Sequence, residues 1–151
     1  MGEGRLQRAL VVAVPDVLDS SLLKRADPQL EGKQNMTIER WRGSAKGRNR
    51  AVRHGGLVYT VATAPGTDIQ AQTRAALAAI DANLADAGSD KTGLLSVQIF
   101  LADLSQKAAM DDVWNDWIGP DWQNWPQRAC VGAPLAGDAL VEIVITATVN
   151  R

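Results

Sequence analysis

The sequence predicts an α+β fold in which two helices cover one face of a mixed β-sheet. Turn-bounded segments are rich in β-branched residues, and two longer segments place apolar residues at helical spacing. These segments alternate in the order β-β-α-β-α-β-β, and helices that follow strands and cover one sheet face form a two-layer sandwich. The length of 151 residues fits one domain.

The first 35 residues differ from the rest of the chain. They hold five basic and five acidic residues, and neither a helical nor a strand period is sustained. A well-patterned region opens at Met36. We therefore expect residues 1–35 to be an N-terminal extension that is dispensable for the fold, and residues 36–151 to form the domain.

The first two strands are predicted to form a hairpin. The segment from Trp41 to Arg53 is basic, and the segment from Leu57 to Ala64 is rich in Val, Tyr and Thr. Between them, residues 54–56 read His-Gly-Gly, which is a turn signal.

The first helix is predicted from Gln70 to Gly88. Residues 67–70 match a capping box with Thr67 as the N-cap, and Gly88 is a natural residue for the helix C-terminus. The core-facing stripe is formed by Leu77, Ile80 and Leu84.

The second half of the chain predicts three strands and one helix. A mostly apolar strand spans residues 94–101, and Ser105 is a candidate cap for the second helix. Gly119 and Pro120 end that helix, and a turn near Gly137 joins the last two strands, 128–133 and 140–149. The helix buries Met110, Val113, Trp114 and Trp117 on one face.

Composition excludes several classes of protein. The formal net charge of −1 provides no global attraction to nucleic acid or to a membrane surface. No apolar run approaches the roughly 20 residues of a membrane span. Cys130 is the only cysteine, which excludes an internal disulfide and suits a reducing compartment. We therefore expect a cytoplasmic protein.

The candidate chemistry is confined to two charged residues in apolar strands. His54 is the only histidine and Cys130 the only cysteine, so we expect no metal, and we find no nucleophile, phosphate-loop or dinucleotide motif. Arg128 and Glu142 interrupt strand-like runs. Since a lone buried charge is costly, they either form a structural salt bridge or face a cleft.

The last two predicted strands contain the motifs PQRACV at 126–131 and LVEI at 140–143, and two further motifs lie at 51–59 and 97–104. Together these motifs resemble the signature of the RidA (YjgF) family. The resemblance covers about residues 40–151.

The resemblance implies a chorismate-mutase-like fold and a homotrimer with pockets at its subunit interfaces. It implies hydrolysis of 2-imino acids, and of their enamine tautomers, to 2-oxo acids and ammonia without metal or cofactor. Arg128 matches the position that holds the substrate carboxylate, and Glu142 matches one that positions the attacking water. Cys130 matches a pocket-wall residue that offers its backbone amide.

Three positions depart from the pattern of active members of that family. Arg48 stands for a tyrosine, Val61-Ala62 for a Ser-Gly pair and Asp111 for an asparagine. These positions line the pocket in the family, so the resemblance implies a larger or doubly anionic substrate, or lost catalysis. Trp125, just before Arg128, is expected to form an aromatic lid or a subunit contact.

The trimer has a second, residue-based argument. In the strand at 94–101, Leu95, Val97, Ile99 and Leu101 alternate opposite Leu94 and Phe100, so both faces of the sheet are expected to be apolar. Helices cover one face only, and an exposed apolar face marks association.

Two other functions are compatible with the sequence. One is a non-catalytic binder of small anionic metabolites that uses the same pocket. The other is RNA binding or ribonuclease-like activity, which the basic residues between Arg40 and Arg53 favour. The net charge and the absence of a recognition motif argue against it. The expected partner is therefore a small 2-imino acid or a related carboxylate.

Overall fold

The structure is a computed structural model that describes residues 36–150. The extension predicted for residues 1–35 lies outside the described residues. Six strands and two helices follow one another in the order β-β-β-α-β-α-β-β. The strands are β1 (Glu39–Arg42), β2 (Asn49–His54), β3 (Leu57–Ala62), β4 (Leu94–Leu101), β5 (Gln127–Gly132) and β6 (Val141–Thr148). The helices are α1 (Ile69–Asp86) and α2 (Lys107–Ile118).

Strand β1 was not predicted from the sequence. It pairs with β2 in antiparallel fashion and forms one edge of the sheet. Its four residues read ERWR and hold a single apolar side chain, so no strand period is visible in the sequence.

The sheet has the strand order β1-β2-β3-β6-β4-β5. All neighbouring strands are antiparallel except β4 and β5, which are parallel, so the predicted mixed sheet is confirmed. Strand β6 lies at the centre, and β5 forms the second edge. The last two strands of the chain are therefore not neighbours, because β4 lies between them.

The core lies between the sheet and the two helices. The predicted stripe of α1 is confirmed, since Leu77, Ile80 and Leu84 are buried. Strand β6 alternates buried and half-buried residues along its whole length, as expected for a strand with one covered face. Burial of each of these aliphatic side chains stabilises the folded chain by about 1.5–3 kcal/mol relative to leaving it exposed to water.

Both predicted helix N-caps are wrong. The carboxylate of Asp68, not the hydroxyl of Thr67, accepts a hydrogen bond from the Ala71 amide at 2.8 Å. Ser105 caps no helix; its amide donates to the Asp103 carboxylate, and α2 begins only at Lys107. At both places an aspartate lies beside the predicted hydroxyl and provides a charged acceptor.

The face of the sheet away from the helices is less apolar than predicted. The pairing of β4 with β6 shifts between Leu94 and Ser96, which leaves Leu95 48% exposed while Val97, Ile99 and Leu101 are buried in the core. The predicted single face of Leu95, Val97, Ile99 and Leu101 is therefore wrong. The open face carries the apolar residues Tyr59, Val61, Phe100, Val131 and Val144 together with the polar residues Gln98, Glu142 and Thr146.

No helix within residues 36–150 is both long and apolar enough to cross a membrane.

Candidate functional site

Arg128 lies on the edge strand β5 and faces helix α2. It pairs with Val97 of β4, whose side chain is buried under the helices. Its Nη2 donates a hydrogen bond to Oδ1 of Asp111 at 2.8 Å. Its guanidinium carbon lies 5.2 Å from the centre of the Trp114 ring, within the range of a cation–π contact. The side chain is 22% exposed, so the charge sits at the margin of the core.

Asp111 binds a second cation besides Arg128. Lys107, one helical turn earlier, donates to the other carboxylate oxygen of Asp111. Burial acts to raise the pKa of Asp111, but the hydrogen bonds and positive charges of Lys107 and Arg128 outweigh it and hold the pKa below its ordinary value. Asp111 is thus ionised at neutral pH, and two cations share one anion.

One terminal nitrogen of Arg128 lacks an acceptor. Nη1 is buried and has no hydrogen-bond partner within residues 36–150. A buried donor without an acceptor costs about 1–3 kcal/mol. The guanidinium is therefore held on one side by Asp111 and left unsatisfied on the other, which is where an additional acceptor would stabilise it.

Cys130 lies two residues farther along β5, on the same face as Arg128 and half-buried. Burial raises the pKa of the Cys130 thiol, and the nearby charges of Lys107 and Arg128 only partly oppose that effect. The thiol is therefore protonated at neutral pH and is a weak nucleophile. This environment suits a wall residue better than a covalent catalyst.

Glu142 does not approach Arg128 within the chain. It lies on the open face of β6, opposite Phe100, whereas Arg128 lies on the helix-covered face. Two strand spacings and three residues of offset separate their Cα atoms by about 14 Å. The salt bridge between Arg128 and Glu142 that the sequence left open is therefore wrong. Arg128 pairs with Asp111 instead.

Arg48 and Val61 form a second group at the other end of the sheet. Both line a cavity of about 250 Å³ between β2, β3 and α1. Strands β3 and β5 are three strand spacings apart, or about 14 Å. Val61 pairs with Val144 of β6 and shares the open face with Glu142, two residues away on that strand. The predicted site residues thus fall into two regions: Arg128 with Asp111 and Cys130, and Val61 with Arg48 and Glu142.

Trp125 lies near Arg128 in sequence, but its side chain contacts the start of its own loop, the connection between α2 and β5. Its indole nitrogen donates to the Gly119 carbonyl at 2.8 Å, and the side chain is 55% exposed. The expectation that it forms a lid or a subunit contact stays a prediction.

Two residues at the Arg128 site were not predicted to have a role there. Lys107 precedes Asp111 by four residues and Trp114 follows it by three, so all three share one face of α2. Trp114 is buried, as predicted, but its ring face also supports the guanidinium of Arg128. The helical spacing around Asp111 was the signal that could have identified both. No group of three or more His, Cys, Asp or Glu side chains within residues 36–150 could hold a metal ion.

The fold and the site define a small α+β protein with a partly buried arginine–aspartate pair at a sheet edge. Residues 43–149 match the family profile described as Endoribonuclease L-PSP. A RutC family protein from Haemophilus influenzae is 39% identical over 118 residues, which covers 75% of this chain and 99% of that protein. The RutC family protein YoaB from Escherichia coli is 37% identical over 116 residues, 76% of this chain and 100% of that protein.

Solved structures agree with these sequence matches. A YjgF family protein from Neisseria meningitidis superposes with a TM-score of 0.71 at 35% identity, covering 77% of this chain and 98% of that one. The chain therefore belongs to the RidA (YjgF) family, and the predicted chorismate-mutase-like α+β fold is confirmed.

Proposed function

We propose that this protein hydrolyses 2-imino acids and their enamine tautomers. The protonated imine and one water give the 2-oxo acid and an ammonium ion, so the C–N bond breaks and a C=O bond forms. The observation that carries the proposal is the state of Arg128. It is held at the margin of the core with one buried nitrogen lacking an acceptor.

Arginine suits a carboxylate anchor because its planar fork donates two parallel hydrogen bonds. Arg128 and Lys107 together carry one more positive charge than Asp111 neutralises. A substrate carboxylate supplies that missing negative charge and an acceptor for the guanidinium. It competes with Asp111 for part of the fork, and Trp114 keeps the guanidinium plane in place as the partner changes.

Glu142 is the candidate for positioning the attacking water. A carboxylate within hydrogen-bond reach of that water can accept its proton as the imine carbon is attacked. Glu142 has no ion pair within residues 36–150, so its charge is available to a ligand.

The proposal includes a homotrimer with pockets at its interfaces. Glu142 and Arg128 of one chain are about 14 Å apart on opposite sheet faces, so one small substrate cannot touch both. A second copy seated on the open face brings one chain's Glu142 to another chain's Arg128. Phe100 and Val144 beside Glu142 offer apolar area for that contact.

A non-catalytic binder of small anions is the second candidate. It is favoured by Asp111, which already occupies part of the anchor, and by Val61, which brings no hydroxyl to the open face near Glu142. RNA binding is less well supported. Arg50 and Arg53, two of its basic residues, are engaged with Asp86 and Glu39.

The deciding experiment measures ammonia release from freshly generated 2-iminopropanoate. The wild-type chain is compared with Arg128→Ala and Glu142→Gln, and Arg40→Ala serves as a control that removes an exposed arginine elsewhere. Acceleration over buffer that is lost in the first two variants and kept in the control supports hydrolysis. Pyruvate binding without turnover supports the binder. Equal rates in all samples and buffer contradict hydrolysis.

A further inference from the structure

The cavity between β2, β3 and α1 is positively charged. Among residues 36–150, its only charged lining residues are Arg48 and Arg50, and none of its lining residues is acidic. Arg50 is already engaged, because its Nη1 donates to Asn83 at 2.8 Å and its Nη2 to Asp86 at 2.5 Å. Arg48 forms no ion pair with any residue from 36 to 150. Its charge is therefore free to bind an anion.

The walls of the cavity limit what that anion is. Ala45, Ala62 and Ala79 present apolar surface, and Asn49 and Thr63 add polar groups. A volume of about 250 Å³ lies below the roughly 300–1,000 Å³ of sites for drug-sized ligands. The cavity thus fits a short carbon chain that ends in a carboxylate, and it is too small for a nucleotide.

We propose that Arg48 binds the second carboxylate of a dianionic 2-imino acid. The substrate class is then the imines of four- and five-carbon dicarboxylic amino acids, with Arg128 holding the carboxylate next to the imine. Identifying the ligand as an imine rests on the proposed function; the preference of the cavity for a dianion does not. Arg48 and Arg128 lie at opposite ends of the sheet, so the two arginines that hold one ligand belong to adjacent copies.

The kinetic test compares two imines on three proteins. An amino acid oxidase generates the imine of glutamate or of alanine, and kcat/KM is measured for wild type, Arg48→Gln and Arg40→Gln. Arg40 is exposed and outside the cavity, so its substitution is a control with the same change in charge. Arg48 makes no hydrogen bond within the described residues, and unchanged melting temperatures will show that the variants fold.

We expect Arg48→Gln to lose roughly tenfold to a hundredfold on the imine of glutamate, as for a lost hydrogen bond to a charged group. Its loss on 2-iminopropanoate should stay within about threefold, and Arg40→Gln should match wild type on both. Equal losses on the two imines, or no loss on the imine of glutamate, would overturn the assignment of Arg48.

A binding measurement separates this inference from the proposed function. Calorimetric titration with 2-oxoglutarate and with pyruvate needs no turnover. If no imine is hydrolysed, the proposed function fails. A preference for 2-oxoglutarate that disappears in Arg48→Gln then still supports the dianion site. Affinities for 2-oxoglutarate that are the same in wild type and Arg48→Gln overturn the inference, whether or not imines are hydrolysed.

Discussion

The guanidinium of Arg128 and the carboxylate of Asp111 form an ion pair, with 2.8 Å between Nη2 and Oδ1. This pair joins the edge strand β5 to helix α2 at the margin of the core. Asp111 also binds Lys107, so it keeps a cationic partner if Arg128 is removed. Removing one partner of a buried pair usually costs 3–5 kcal/mol because a charge is stranded. Here Lys107 prevents most of that cost.

The pH dependence of stability should report the ionisation of Asp111. Its pKa in the folded chain lies below the ordinary value of 3.8. A group with a lowered folded pKa stabilises above its unfolded pKa, and that contribution is lost as pH falls through the folded pKa. We therefore expect the free energy of unfolding, measured with urea, to decrease as the pH drops below about 4. The decrease should be less steep in Asp111→Asn.

Asp112→Asn is the matched control for that experiment, since Asp112 is the exposed neighbour on the same helix. A pH profile for Asp111→Asn that is identical to both wild type and this control would show that the ion pair does not stabilise the folded chain.

Local sequence patterns predict the individual strands and helices of this fold better than they predict which strands pair with each other. Strand β4 and helix α1 agree with prediction within one or two residues, because their apolar periods are strong and Gly88, with φ of +79°, ends the helix as expected. Strand β1 has one apolar residue and no visible period. The offset of Leu95 depends on the shift in pairing between β4 and β6, which is not visible in either strand alone.

The same distinction applies to the site. The family motif predicts Arg128 and Glu142, but their separation depends on β4 lying between β5 and β6. Strand order is a property of the whole chain and separates the two charges laterally, and the strand register places them on opposite faces of the sheet. The pairing of Arg128 with Asp111 likewise depends on how α2 packs on the sheet, which residue spacing does not specify.

The open face of the sheet is the surface through which we expect the chains to associate. We expect light scattering at micromolar concentration to give three times the chain mass of 16.2 kDa. Val144→Glu places a charge at the centre of that face and should shift the mass toward the monomer. Ala78→Glu adds the same charge on the exposed side of α1 and should leave the trimer intact. A monomer mass for the wild-type chain would contradict the trimer.

Deletion of residues 1–35 should leave folding and assembly intact. The patterned sequence begins at Met36, and the structured elements from β1 to β6 all lie within residues 39–148. We expect the melting temperature of the shortened chain to change by less than about 4 °C, the shift that roughly 1 kcal/mol produces in a domain of this size. A larger fall, or loss of the trimer by light scattering, would assign the segment to the core.

Substitution of Arg128 should separate its role in binding from its role in stability. Arg128→Ala should lower kcat/KM for imine hydrolysis by a factor that corresponds to about 3–5 kcal/mol of lost transition-state stabilisation, because a desolvated carboxylate loses its charged partner. Arg128→Lys keeps the charge but loses the planar fork, so it should also be badly impaired. Because Lys107 still neutralises Asp111, we expect Arg128→Ala to lower the free energy of unfolding by only about 1–2 kcal/mol, from the lost ion pair and the lost contact with Trp114.

Melting temperature and ammonia release are measured on the same sample. A folded variant with unchanged turnover would exclude Arg128 as the anchor, and an unfolded one would make the Asp111 pair a structural requirement.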